Sequence, residues 1–344
     1  MAGDMTQLKA LIARVADGHA LTQAEAEQAF DIMMSGNATP AQMCALLMAL
    51  RVRGETVDEI AAAARTMRAK ALKVNAPAGA VEAVGTGGDA SGSFNISTAS
   101  SFVVAGAGQK VAKHGNRAFS SKSGAADILT SLGVNVECDV QLVEYAISKA
   151  GVGFMMAPRF HSAMRHVGGV RVEMGTRTIF NLLGPLANPA GVKRQLVGVF
   201  ARKWVRPVAE TLGRLGSEHA WVAHGSDGLD EITTTGPTFI AEFRDGKINE
   251  FEVTPEQVGI PRAKPEDLKG GTPAENAVML RELLDGKKGP LRDVVMMNAG
   301  AVLVVSGAAA DLKQGIAQAG ASIDSGAAKR ALESLIEITN RSAA

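Results

Sequence analysis

The first seventy residues repeat one pattern: a Thr with Glu or Gln three positions on, then an apolar-rich run. It occurs at Thr22…Glu25, Thr39…Gln42 and Thr56…Glu59. In such a pair the hydroxyl and the longer side chain each accept from the other's backbone N–H, which marks a helix start. Pro40 sits at the favoured first helical position. With the apolar stretches Met43–Leu50 and Ile60–Met67, this predicts a small all-helical N-terminal subdomain of consecutive short helices. From about residue 81 the pattern changes. Short apolar runs predict strands at Glu82–Val84, Gln109–Ala112, Gly153–Met156, Gln195–Val199, Ala220–Ala223 and Val294–Asn298. Helical segments separate several of them, at Ala125–Leu132, Val140–Ala150 and Pro207–Leu215. This alternation predicts a large α/β domain with a mainly parallel central sheet and helices around it. Residues 239–253 predict a hairpin on the turn Asp245-Gly246. Thr254…Gln257 and Thr272…Glu275 predict two later helix starts, and Ala76-Pro77-Ala78-Gly79 reads as a linker between helical and α/β parts.

Two of the predicted strands deliver polar, glycine-containing loops at their carboxyl ends, where open α/β sheets bind ligands. The first loop is Gly85-Thr86-Gly87-Gly88-Asp89, followed by a helix start at Asn95-Ile96-Ser97-Thr98. The second is Lys113-His114-Gly115-Asn116-Arg117. Glycines allow close backbone approach, helix N-termini offer free N–H groups to anions, and Lys113 and Arg117 add positive charge. Together they point to a polyphosphate. Gly85-x-Gly87-x-x-Ala90 partly matches a dinucleotide fingerprint, but the acidic residue needed about 20 positions on is missing. Asp89 would also repel phosphate inside that turn unless a cation intervened. No P-loop string exists. A ligand-free glycine turn explains one cluster but not Lys113, Asn116 and Arg117 after the next strand.

A third loop, His224-Gly225-Ser226-Asp227-Gly228-Leu229-Asp230-Glu231, follows the run Ala220–Ala223. Adjacent carboxylates suit Mg²⁺, which often bridges one or two of them to substrate phosphates. An isolated Asp-Glu pair is more commonly a solvated loop pair; the phosphate-like loops turn the reading toward metal.

Composition narrows the class without identifying a ligand. The chain has 344 residues, 46% hydrophobic but only 4% aromatic, with 38 glycines. That suits a soluble protein with an aliphatic core and many tight loops. Lys+Arg 36 against Asp+Glu 35 gives +1, which argues against generic nucleic-acid or membrane binding. Cys44 and Cys138 form no metal motif and suit a reducing cytoplasm. The opening MAGDMTQLKALIARVADGHA lacks a sustained apolar core, so no secretion signal is expected, and no stretch reaches membrane-spanning length.

The ordered set G-T-G-G-D, S-x-N-x-S-T and K-H-G-N-R resembles the phosphoribosyl-diphosphate signature of the anthranilate phosphoribosyltransferase family of tryptophan biosynthesis. The resemblance extends to His161–Ala190, HSAMRHVGGVRVEMGTRTIFNLLGPLANPA. It implies transfer of phosphoribose from 5-phosphoribosyl 1-diphosphate to the anthranilate amine, with release of pyrophosphate and with Mg²⁺ as cofactor. It implies donor contacts at Gly85, Gly88, Asp89, Ser93, Asn95, Ile96, Ser97, Thr98, Lys113, His114, Gly115, Asn116, Arg117, Ser120 and Ser121. It implies anthranilate contacts at Gly85, Asn116 and Arg171, and metal contacts at Ser97, Asp230 and Glu231. A guanidinium at Arg171 suits a carboxylate; otherwise Arg171, Glu173 and Arg177 are charges on a helix surface. Arg165 and His166 are weaker candidates for the entrance. No dedicated general base is expected, because an aromatic amine is already neutral and the harder step is pyrophosphate departure. His114 is as well suited to loop positioning.

The resemblance also implies that about 161–187 returns to the helical subdomain of residues 1–75. Residues 76–160 and 188–344 then form the donor-binding domain, and the site lies at the hinge. A homodimer through the helical subdomain is expected. Ser162 and Gly169 depart from prolines in the family pattern, and Ala125 from a serine. The alternatives are a pyrimidine nucleoside phosphorylase, whose lysine-serine phosphate motif is not evident, and a non-catalytic nucleic-acid-binding relative, against which the near-neutral charge speaks.

Overall fold

The computed structural model describes residues 2–89, 91–118 and 122–341, with only the backbone of residues 2–5. Four helices open the chain: α1 (Ala2–Ala16), α2 (Gln23–Met34), α3 (Pro40–Arg53) and α4 (Val57–Ala69). The capping boxes at Thr22, Thr39 and Thr56 are all formed. The α/β part begins with β1 (Val81–Gly85), α5 (Ile96–Gly106), β2 (Val111–Gly115), α6 (Ala125–Leu132), α7 (Val140–Lys149) and β3 (Val152–Met156). Three helices follow, α8 (Ala157–Phe160), α9 (Arg165–Met174) and α10 (Phe180–Leu186). The chain then forms β4 (Arg194–Gly198), α11 (Val205–Arg214), β5 (His219–Gly225), β6 (Thr238–Arg244) and β7 (Lys247–Val253). It closes with α12 (Pro273–Leu284), α13 (Pro290–Ser306), α14 (Leu312–Asp324) and α15 (Ala327–Thr339).

The seven-stranded sheet has the order β3-β2-β1-β4-β5-β6-β7. Neighbours from β3 to β5 are parallel, and β6 and β7 form the antiparallel hairpin. Its turn residues Asp245 and Gly246 both have positive φ, the geometry that matches the twist of a two-residue hairpin. From β1 the chain winds one way through β2 to β3, and from β4 the other way to β5. The switch point lies between β1 and β4, where a crevice opens at the carboxyl ends.

One core packs α5, α13 and α15 against a sheet face, through residues such as Phe102, Val302 and Leu332. A second joins Phe30, Leu47 and Ile60 of the first helices to Val167, Phe180 and Leu183 of α9 and α10. It continues onto Val197, Val222 and Ala241 of the opposite sheet face.

Three sequence expectations are corrected. Val294–Asn298 is not a strand but part of α13; nearly all of that helix from Val294 to Ser306 is buried, so no polar face betrays its period. The strand expected to end at Ala112 runs on to Gly115, so Lys113, His114 and Gly115 belong to β2 rather than to a loop. Thr254…Gln257 precedes only a single 3₁₀ turn, Glu256–Val258.

Candidate active site

The carboxyl ends of β1, β2 and β5 meet helices α4, α9 and α10 around a cavity of about 870 Å³. The β1 loop turns through two positive-φ glycines, Gly87 at 70° and Gly88 at 74°, a conformation open to glycine at little steric cost. At the switch point Gly85 pairs with Gly198 of β4. A Cβ on Gly198 would overlap the carbonyl oxygen of Asp230, and one on Gly85 would crowd its carboxylate. Two bare backbones thus make the slot in which the Asp230-Glu231 loop lies.

Those two carboxylates engage the backbone donors of the phosphate-like loops. Asp230 Oδ2 accepts from the Gly87 N–H. Glu231 Oε1 accepts from the Ser97 N–H, in the first turn of α5, at 2.9 Å. Burial, with Asp89 nearby, pushes the Asp230 carboxyl up to about 7. Burial, then Asp230 and Asp89, holds the Glu231 carboxyl well above its usual range. Asp89 Oδ2 is buried without a partner among the described residues. Two buried carboxyls with a third acidic side chain beside them call for a cation. No group of three or more metal-capable side chains is ready-made among the described residues. The donor set therefore suits an oxygen-seeking cation that completes its shell with substrate oxygens and water. Asp227 of the same loop is committed elsewhere, accepting from the hydroxyls of Thr233 at 2.7 Å and Thr235 at 2.6 Å.

Lys113 reaches the same floor. Its Nζ donates to Ala83 O at 3.0 Å and to Ser97 Oγ at 3.3 Å. Burial lowers its pKa to about 8, against the pull of Glu82 and Glu231. His114 faces the other side of the cavity, its Nδ1 at 3.3 Å from Gly184 O and its ring 5.0 Å from that of His161. Burial, reinforced by His161 and Lys113, pushes His114 down to about 3, so its imidazole is neutral near pH 7. Arg171 lines the helical wall, with its guanidinium 5.7 Å from the Phe180 ring centroid. Burial lowers its pKa.

Of the other residues singled out in the sequence, Gly85, Gly88, Asp89, Ser93, Asn95, Thr98, Gly115, Asn116 and Arg117 also line the cavity. Ile96 does not: its side chain is fully buried in the core. Ser120 and Ser121 lie outside the described residues. Arg165 lines the cavity and His166 does not; Glu173 is exposed. Arg177 donates to the Gly88 carbonyl and stacks at 4.4 Å on Phe200, so it braces the β1 loop. Sequence reasoning missed Phe180, Asn181 and Gly184, which line the helical wall. The F-N-x-L-G-P string carrying them belongs to the family resemblance, but only the wall's geometry gives them a place.

Residues 78–329 match the glycosyl transferase family a/b domain, and residues 9–71 its helical bundle domain. A curated relative from Azospirillum brasilense, anthranilate phosphoribosyltransferase, is 62% identical over 99% of this chain and 95% of its own. The chain belongs to the anthranilate phosphoribosyltransferase family. The crystal structure of the Thermus thermophilus anthranilate phosphoribosyltransferase superposes with a TM-score of 0.92 at 43% identity, covering 96% of this chain and 99% of that one. The Saccharomyces cerevisiae family member, in complex with phosphoribosyl diphosphate and Mg, gives 0.89 at 28% identity, covering 97% and 98%. Family membership favours this activity over the nucleoside phosphorylase and nucleic-acid-binding alternatives. Among the described residues, no helix is long and apolar enough to cross a membrane.

Proposed function

We propose that the enzyme moves the phosphoribosyl group of 5-phosphoribosyl 1-diphosphate to the amine of anthranilate and releases pyrophosphate. The observation that carries this reading at the site is the pair of acidic residues, Asp230 and Glu231, engaged by the Gly87 and Ser97 N–H groups beside Lys113. Backbone donors that satisfy carboxylates serve equally for phosphate oxygens. Asp230 and Glu231, with Ser97, would hold Mg²⁺, which supplies neutralisation of charge building on the departing pyrophosphate. Lys113 and the N–H groups of the β1 loop and α5 bind and orient the donor. Arg171 fixes the acceptor carboxylate from the helical wall, turning the amine toward the anomeric carbon. No proton needs removal before attack, and a His114 kept neutral by burial shapes the acceptor side rather than acting as base.

Two further proposals concern assembly. The first is that the helical unit comprises residues 1–75 with 161–187, supported by the core that α9 and α10 share with α2 to α4. The second is that the enzyme is a homodimer through α3, whose outer face lines up Ala41, Ala45, Met48 and Val52, all exposed. The activity is tested by following loss of anthranilate fluorescence with purified enzyme, phosphoribosyl diphosphate and Mg²⁺. Loss dependent on both additions is expected. Unchanged fluorescence with folded protein would refute the reading.

A further inference from the structure

The β1–β2 seam is an incomplete ladder. β2 pairs with β3 along all five residues, and β1 with β4 along all five. Between β1 and β2 the only register pair is Val81↔Val111 among the described residues. Beyond it no further register pair forms among the described residues, and side chains take up the backbone groups the ladder would use. Glu82 Oε1 accepts from the His114 backbone N–H at 2.8 Å. Lys113 Nζ donates to Ala83 O at 3.0 Å, and Asn188 Nδ2 donates to Ala112 O at 2.9 Å. Gln195 Nε2 holds the second Glu82 oxygen at 2.8 Å and donates to Pro185 O at 3.0 Å, tying the fork to α10. Glu82 and Gln195 are completely buried. A buried carboxylate beneath a site, outside the lining of its cavity, has no simple stability rationale, since an apolar side chain with a closed ladder would do as well.

We infer that Glu82 is a positioning residue: its carboxylate wedges β1 and β2 apart at their carboxyl ends and so delivers Lys113 to the donor side of the cavity. Without the wedge, the His114 N–H and Ala83 carbonyl can pair with each other's strands, and Lys113 is drawn back from Ser97. This rests on the proposed assignment of Lys113 to the donor, and the test separates the two ideas. Glu82→Leu keeps length but removes the acceptor; Glu82→Gln keeps an acceptor for the His114 N–H and removes the charge.

Steady-state kinetics with phosphoribosyl diphosphate, anthranilate and Mg²⁺ should show the Leu variant raising the donor KM at least tenfold. The anthranilate KM should rise much less, because Arg171 sits on α9 and Glu82 reaches the acceptor wall only through His114 and α10. The Gln variant should recover most of the donor KM. If Glu82→Leu does not fold, Asn188→Leu reads the same seam from its other stitch and should show the same donor-selective rise. Equal rises in both KM values, or a Gln variant as impaired as Leu, would overturn the wedge; so would an unchanged donor KM in a folded Leu or Asn188→Leu protein. Failure of the wild-type enzyme to consume anthranilate would instead refute the proposed function.

Discussion

At the scale of single residues the acidic pair is the most exposed to test. In the metal-free fold, burial and Asp89 push Asp230 from 3.8 up to about 7. Glu231 moves in the same direction. Between the ordinary and shifted values the folded state holds a proton that the unfolded chain has released. Stability from this group is therefore full below 3.8 and is lost as pH rises to about 7. Asp230→Asn with Glu231→Gln should abolish most turnover, with partial rescue by excess Mg²⁺. The same variant should raise the metal-free Tm at pH 8 by roughly 2–6 °C and flatten its pH dependence. Calorimetric scans at several pH values without metal check this, and an unaltered Tm profile would count against burial as the cause. Arg171→Ala should raise the anthranilate KM roughly tenfold to hundredfold, the loss of a charge-assisted contact of about 1.5–3 kcal/mol, while sparing the donor KM. Arg171→Lys should recover only part, since it restores charge without the planar fork. Equal changes in both KM values would make Arg171 a closure residue instead.

At the scale of elements the β1–α5 turn and its β4 neighbour decide the site. Gly88→Val should weaken donor binding in titration calorimetry, while anthranilate binding holds. The cause is backbone strain at φ 74°, because the nearest atom to an added Cβ is Arg177 Nε at 3.8 Å. Gly198→Ala should be worse, since the added carbon meets the backbone of Asp230 and must move the whole acidic loop. An active Gly198→Ala enzyme with unchanged Mg²⁺ dependence would show that this slot does not set the acidic loop. The same elements show what a sequence discloses. Capping boxes, the Asp245-Gly246 hairpin and the glycine loops were legible because each is written within a few consecutive residues. α13 was not, because a helix buried on all sides loses the periodicity that distinguishes it from a strand. Gly198 and Glu82 escaped for another reason. Their meaning lies in contacts with Asp230, and with His114 and Gln195, that only strand order and register create.

At the scale of the whole molecule, α3 links the proposed subunit interface to the donor loop. Its Arg51 donates to Thr176 and, at 2.6 Å, to the Arg177 carbonyl. Arg177 in turn donates to the carbonyl of Gly88. Arg51 is the direct neighbour of Val52, which is 81% exposed on the apolar face of the same helix. An aliphatic side chain left that open beside Met48, Ala45 and Ala41 gains by burial against a second copy, with each buried CH₂ worth about 0.8 kcal/mol. A self-complementary stripe on one helix suits the twofold contact of a homodimer. Val52→Glu would set two carboxylates against each other across that axis. The expected outcome in sedimentation velocity is a dimer for the wild type and a monomer for the variant at micromolar concentration. Circular dichroism should be unchanged, because Val52 contributes nothing to the helical core. A wild-type monomer, or a variant that stays dimeric, would exclude this face. If the Arg51–Arg177–Gly88 chain transmits the contact, the monomer should also show a raised donor KM with an unaltered anthranilate KM. A monomer with wild-type kinetics would confine α3 to assembly and leave Arg177 a local brace of the β1 loop.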